Sequence, residues 1–433
     1  MAVDFREFES FVAATMVGEN IPGLAVAVSR HGETIFSKGF GVRDVISEEP
    51  VTPRTVFGTA SVTKSFTALA IMKLCSQGLL RVDDAVVKHL PQFAVPGVDD
   101  VNKIKVHHLL SHTTGVPPLR RRQDIEGFDG HLEFIAHEEF HLLGEPGEYL
   151  SYSNDLFLLL GAIIERLSGK KYRNYIQEEI IDQLGMANST MHPGKVTEFA
   201  DLSTPYMYNK ETCQPEAKPW PVLNNYEVGG GVRSCVDDLL KYGHAYFSDS
   251  IVPQAVSSLM YQPVHTIGKN SSYGYALKVT PNHNGFTLVE HGGAQPGVSA
   301  NFGFVPEAGL VVAVLCNITG VSAARIWLAA VNAVLGNELT YSTDTETAAP
   351  SLPEDVLKYA GTCCSAEGGR ICVSGDSSGL RISFEGDEYD LHYARDQVFF
   401  FNHRGQKVVR FYLDDEGTPW AAFVGLRMLV REA

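Results

Sequence analysis

Two strand-turn-strand signatures, far apart in the sequence, constrain this chain more than anything else in it. Residues 24–29 and 34–41 are β-type runs around Arg30-His31-Gly32-Glu33, and residues 299–305 and 310–316 form a second pair around Pro306-Glu307-Ala308-Gly309. A lone hairpin is marginal in water, so the two pairs are expected to share one antiparallel sheet. Between them, residues 64–77, 155–167, 172–183 and 236–247 carry apolar side chains at three- and four-residue spacing, and 322–335 does so after the second hairpin. That spacing predicts helices. The expected fold class is α/β in the α+β sense: an antiparallel sheet, a helical lobe inserted between its early and late strands, and a groove between the lobes suited to a small molecule.

Residues 342–353 are polar and proline-bearing with no apolar period, which is the composition of a linker. The boundary predicts one domain over 1–341 and a second over 354–433. In the second, strand-like runs such as 380–384, 397–401, 407–413 and 419–424 are punctuated by Glu385-Gly386-Asp387, His403-Arg404-Gly405 and Asp414-Asp415-Glu416-Gly417. About eight such runs predict a small antiparallel barrel. No catalytic set is visible in it.

A formal charge of -16 and the lack of long basic runs argue against a nucleic-acid partner. No segment has the roughly 18–20 apolar residues of a membrane span. The N-terminus shows no basic leader before an apolar stretch, so the expectation is a cytoplasmic protein with no membrane partner. Seven cysteines, at 75, 213, 235, 316, 363, 364 and 372, lack metal-type pairing and read as free thiols of a reducing compartment.

Three short motifs carry chemistry. Ser61-Val62-Thr63-Lys64 opens a predicted helix, where a serine three residues before a lysine lies on the same face one turn away. Such a pair is also compatible with an N-capping serine and a solvated lysine. The residues after Lys64, through Met72, are uncharged, so its amine is expected to begin a buried element where desolvation lowers its pKa. Tyr152-Ser153-Asn154 follows the turn-rich Gly144-Glu145-Pro146-Gly147; its phenol is suited to exchange protons with the serine and a leaving group, and the Asn154 amide to hold a substrate carbonyl. His291-Gly292-Gly293-Ala294 follows a strand-like run. Two glycines at a sheet edge admit a substrate backbone, and the Ala294 N–H is suited to pair with that of Ser61 around an oxyanion.

In this order the motifs resemble the class C β-lactamase family, with its esterase, D-amino-acid peptidase and DD-peptidase relatives, across roughly residues 10–340. The resemblance implies that Ser61 is acylated and that Lys64 and Tyr152 are its proton-transfer partners. It places Asn154, His291, Gly292, Gly293 and Ala294 against the substrate. No cofactor or metal is implied. Residues 109–115 and 229–234 resemble further family stretches and are expected to order loops. The segment from Tyr359-Ala360-Gly361 is similar to the lipocalin-like barrel appended to many of these hydrolases.

One departure bears on substrate: dedicated β-lactamases of the family have lysine where this chain has His291, and an imidazole is largely neutral near pH 7. The expected activity is therefore acyl transfer from a small ester, amide or short peptide, as a carboxylesterase or D-amino-acid peptidase, with weak or no β-lactam hydrolysis. Whether Lys64 or Tyr152 is the base stays open, because coupled groups share their protons. Transfer to an acceptor other than water, and a silent binding protein of the same fold, are the alternatives. The barrel is expected either to cap the groove or to contact a second copy in a homo-oligomer.

A zinc reading competes. His137-Glu138-Glu139-Phe140-His141, with Glu165 downstream, matches the zinc-protease pattern of two histidines one helical turn apart. The turn at 144–147 follows at once, so the motif is expected at a helix end and no metal is assigned to it.

Overall fold

In the computed structural model, which describes residues 3–376 and 379–432, the two hairpins meet in one sheet. Its eight strands run in the order Glu33–Gly41, Gly23–Arg30, Leu310–Cys316, Val298–Val305, Phe286–Gln295, Lys278–His283, Ser272–Tyr273 and His265–Thr266. The join is antiparallel, with Leu24 opposite Cys316 and Arg30 opposite Leu310. Strands Gly23–Arg30 and Leu310–Cys316 are apolar at nearly every position because both faces of the sheet are covered. Val26, Val312 and Val314 pack with Phe8, Val12 and Trp327 of the helices Arg6–Glu19 and Ala323–Leu335. Ala27, Val311 and Ala313 face the helical lobe.

At the centre of that lobe lies the helix Thr63–Ser76, buried from Thr63 to Leu74. A helix apolar on every side has no solvated face to present, so it becomes a core element. Its few polar side chains are paired inside: Thr67 donates to Val228 O at 2.7 Å and Ser65 to Val62 O at 2.8 Å. Two expected helices form with irregularities. Residues 155–167 divide into Asn154–Phe157 and Leu159–Ser168, and Tyr172–Ile176 widens into a π turn over Gln177–Ile181. In that turn the Gln177 amide oxygen accepts the Met191 N–H at 3.0 Å, a contact with a distant loop that local spacing does not encode.

Residues 342–353 hold no helix or strand, and from Gly361–Cys364 to Arg427–Arg431 eight strands close into an antiparallel barrel. Cys363 opposite Arg431 makes the closure, and Phe399, Phe401, Val409 and Phe411 fill the interior. The barrel packs on the first domain through one apolar cluster that joins Leu143, Leu150, Tyr152, Ile267 and Tyr273 to Ala421, Phe423 and Met428. Backbone contacts reinforce it: Tyr152 N–H donates to Leu426 O at 2.8 Å and Met428 N–H to Ser151 Oγ at 3.1 Å. Among the described residues no helix is long and apolar enough to cross a membrane.

Candidate active site

A short 3₁₀ turn, Ala60–Val62, enters the central helix directly, and Ala60 takes a left-handed φ of 46° that is unusual for a residue with a side chain. The sharp entry leaves Ser61 at a groove of about 620 Å³, lined also by Tyr152 and by His291, Gly292, Gly293 and Ala294. Lys64, one turn on, is completely buried. Its Nζ lies 3.5 Å from Ser61 Oγ and donates to Asn154 Oδ1 at 2.9 Å and to Gly229 O at 3.2 Å. Burial draws the amine down to about 7, with the cation of Arg427 acting in the same direction and the carboxylate of Glu367 against it.

Tyr152 answers oppositely. Desolvation raises its phenol well above the ordinary value, and the neighbouring Ser61 hydroxyl only partly opposes this. The phenol oxygen is buried, and among the described residues no group, Ser61 included, meets it in full hydrogen-bond geometry. His112, whose ring centre is 4.1 Å away, accepts the Ser153 N–H at 3.3 Å through Nδ1. Burial first, and then Lys64, keep His112 neutral.

On the facing strand, His291 Nδ1 donates to Gly292 O at 2.6 Å and Nε2 accepts from Tyr273 Oη at 2.9 Å, an assignment fixed by the carbonyl, which only accepts. Burial, then Lys64, lowers its pKa to about 3, so no charge stands at the position where a lysine would carry one. A Cβ on Gly293 would fall 2.3 Å from Thr59 O and 3.2 Å from Ser61 N. The glycine thus lets this strand close on the backbone of the serine turn.

The family model described as Beta-lactamase matches residues 8–335. The chain belongs to that family of serine hydrolases. The match covers the sheet and helical lobe and stops short of the barrel. Protein flp of Staphylococcus aureus (strain NCTC 8325 / PS 47) is 26% identical over 353 residues, covering 78% of this chain and 68% of that one. Penicillin-binding protein 4* of Bacillus subtilis (strain 168) is 27% identical over 293 residues, and the match spans 63% of each chain, under two thirds of that relative's length. The solved structure of the octameric penicillin-binding protein homologue from Pyrococcus abyssi superposes with a TM-score of 0.74 at 28% identity, over 99% of this chain and 100% of its own. That likeness extends through the barrel.

Within this Beta-lactamase-family framework Asn154 stands between Lys64 and the barrel. Its Oδ1 accepts from Lys64 Nζ, and its Nδ2 donates to Glu367 Oε1 at 2.8 Å. The amide therefore ties the lysine to the barrel. The barrel, read from sequence as chemically empty, contributes Gly425, Leu426 and Arg427 to the groove wall. Arg427 Nε donates to Glu367 Oε2 at 2.6 Å, and its guanidinium lies 5.0 Å from the Tyr152 ring centre. Glu367 sits in a turn and Arg427 opens the strand that follows one, and the local sequence of each reads as ordinary punctuation. The one local irregularity is Leu426, a bulky side chain at φ 67°.

The stretch 229–234 does more than order a loop. Gly229 O holds Lys64, and a Cβ on Gly229 would come within 2.5 Å of Lys64 Nζ. Gly229→Ala is expected to push the amine off the serine and lower kcat about a hundredfold, the scale of a 1 Å misplacement, with an unchanged far-UV circular dichroism spectrum. Steady-state kinetics beside the spectrum check this.

The zinc pattern does not assemble. The helix Phe128–His137 ends at its last histidine, whose Nδ1 bonds Glu133 O at 2.9 Å, so His141 lies beyond the helix and not one turn along it. Glu165 accepts from Lys171 and from the Tyr172 N–H.

Proposed function

We propose that this chain hydrolyses small ester or amide substrates through an acyl-enzyme at Ser61, as a carboxylesterase or D-amino-acid peptidase, with Lys64 as the general base. The observation that carries the reading is the fully buried amine 3.5 Å from Ser61 Oγ, held near a pKa of about 7. A neutral amine has two N–H groups, and two acceptors meet them, Asn154 Oδ1 and Gly229 O. Its lone pair is left for the serine proton.

In this reading Ser61 Oγ attacks the carbonyl carbon while its proton passes to Lys64 Nζ. The tetrahedral oxyanion is met by N–H groups at Ser61 and Ala294. Collapse breaks the bond to the leaving alcohol or amine, which takes a proton from Tyr152, and the Lys64 ammonium restores that proton. A phenol raised by burial keeps its proton near neutral pH, which suits it to the acid role and not to the base. Water then releases the acyl group by the same steps in reverse order. Weak or absent β-lactam hydrolysis follows from the neutral His291 and from the pairing of Arg427 with Glu367. Of the two roles expected for the barrel, a cap on the groove has the support of Leu426 and Arg427 in its wall.

The test is a matched pair, a short-chain nitrophenyl ester and a D-alanyl nitroanilide, with quenched samples digested to locate the acyl adduct. An adduct on Ser61 is expected, and kcat/KM is expected to fall about tenfold per pH unit below 7 as Lys64 takes up a proton. Turnover of the ester alone makes the protein a carboxylesterase, and turnover of the anilide a D-amino-acid peptidase. Turnover with no adduct on Ser61 rejects the serine mechanism.

A further inference from the structure

The polar contacts at Ser61 do not end in the catalytic domain. From Ser61 Oγ they run through Lys64 Nζ to Asn154, across the domain boundary to Glu367, and on to Arg427. Glu367 lies in the turn between the strands Gly361–Cys364 and Arg370–Asp376, where a glutamate ordinarily faces water. Here its side chain is only 15% exposed, and each carboxylate oxygen has its own partner, Oε1 the Asn154 amide and Oε2 the Arg427 guanidinium.

We propose that Glu367 is a positioning residue for Ser61 acylation, fixing from the barrel side which end of the Asn154 amide faces Lys64. The reasoning is one of donors and acceptors. The two ends of an asparagine amide have nearly the same shape but opposite roles, and a flipped Asn154 would set its NH₂ against the Lys64 amine. An ionised carboxylate only accepts, so Glu367 selects the orientation with Nδ2 toward the barrel and Oδ1 toward Lys64. Arg427 in turn keeps Glu367 ionised and in place, its guanidinium being the largest favourable influence on that carboxylate. The nucleophile and its base are thus in register only when the barrel is docked. This inference rests on the serine-lysine reading above.

The arrangement also has an electrostatic signature. The charged groups acting on Lys64 are Arg427 and Glu367 from the barrel, with Arg121 and Asp155 from the first domain, while His112 and His291 are neutral and Tyr152 is protonated. Glu367 raises the amine's pKa and Arg427 lowers it. Loss of the carboxylate therefore moves the acidic limb of kcat/KM to lower pH, and loss of the guanidinium moves it to higher pH.

The experiment uses the full chain with Glu367→Ala, Glu367→Gln and Arg427→Gln, and Arg370→Gln as a control that breaks an exposed barrel ion pair with Glu432. Each is measured for the rate of Ser61 acylation by a nitrophenyl ester, the pH profile of kcat/KM and the thermal midpoint. Glu367→Ala is expected to lower the acylation rate about a hundredfold. Glu367→Gln, which keeps an oxygen for Asn154, is expected to recover part of that loss and to show the limb at lower pH. Arg427→Gln should show it at higher pH, and the control should match wild type. If Glu367→Ala does not fold, the opposite limb shifts of the two glutamine variants carry the test. Wild-type acylation in both Glu367 variants, or losses that track the thermal midpoint with an unmoved limb, overturn the proposal. No adduct on Ser61 in the wild type would instead reject the underlying mechanism.

Discussion

Ser61→Ala protein is expected to form no acyl adduct and to lose turnover by about 10⁶-fold, whereas Lys64→Met keeps the nucleophile and loses about 10³- to 10⁴-fold. The two also differ in stability. Ser61 faces the groove, so its hydroxyl is removed at little cost. Lys64 is completely buried, and its pKa falls from 10.5 to about 7 on folding. The unfolded chain therefore binds more protons than the folded one between those values, and wild-type stability rises with pH across that window. Methionine removes a cost of about 5 kcal/mol below pH 7, but leaves Asn154 Oδ1 and Gly229 O without their donor, at about 1–3 kcal/mol each. The two terms nearly offset each other at pH 6, and the expectation is that Lys64→Met loses about 4 kcal/mol relative to wild type between pH 6 and pH 10.5, as the buried amine ceases to cost the wild type. Denaturant melts at several pH values check this; a stability difference that stays constant between pH 6 and pH 10.5 would contradict the buried-amine account.

Deletion of residues 354–433 is expected to abolish activity and to leave the first domain aggregation-prone. The cut exposes Leu143, Leu150, Tyr152, Ile267 and Tyr273, which the barrel covers with Ala421, Phe423 and Met428. At roughly 1.5–3 kcal/mol for each fully buried apolar side chain, the loss is on the order of 10 kcal/mol as an upper bound. That is comparable to the whole stability of a typical domain. The Tyr152 N–H and the Asn154 amide lose their barrel partners in the same cut. Size-exclusion chromatography and ester kinetics on the truncated chain decide the matter: a monodisperse protein with wild-type kcat/KM would show that the barrel is merely appended.

The sheet was legible because its signals are local. Apolar runs separated by His31-Gly32 and by Ala308-Gly309 announce hairpins wherever they fold, and alternation with turn residues announced the barrel strands. The expected helix over 172–183 runs to Ile181, but from Gln177 it widens into a π turn where the Gln177 side chain accepts the Met191 N–H, a contact absent from its own segment.

At the site the same division holds. The sequence by itself determined Ser61 and Lys64 as a pair, since three residues on a helix are one turn, and it determined a buried amine, since an uncharged helix must go inside. The neutral imidazole at His291 was also legible from residue type. The proposal of Lys64 over Tyr152 as the base rests on tertiary structure alone, because the opposite shifts of the two arise from packing around both of them. Tertiary structure alone turned Asn154 toward Glu367 and brought Arg427 to the groove, from positions more than 200 residues away along the chain. A glutamate in a turn, or an arginine just after one, has no periodicity and no neighbours that mark it, so its partner exists only once the barrel has closed and docked.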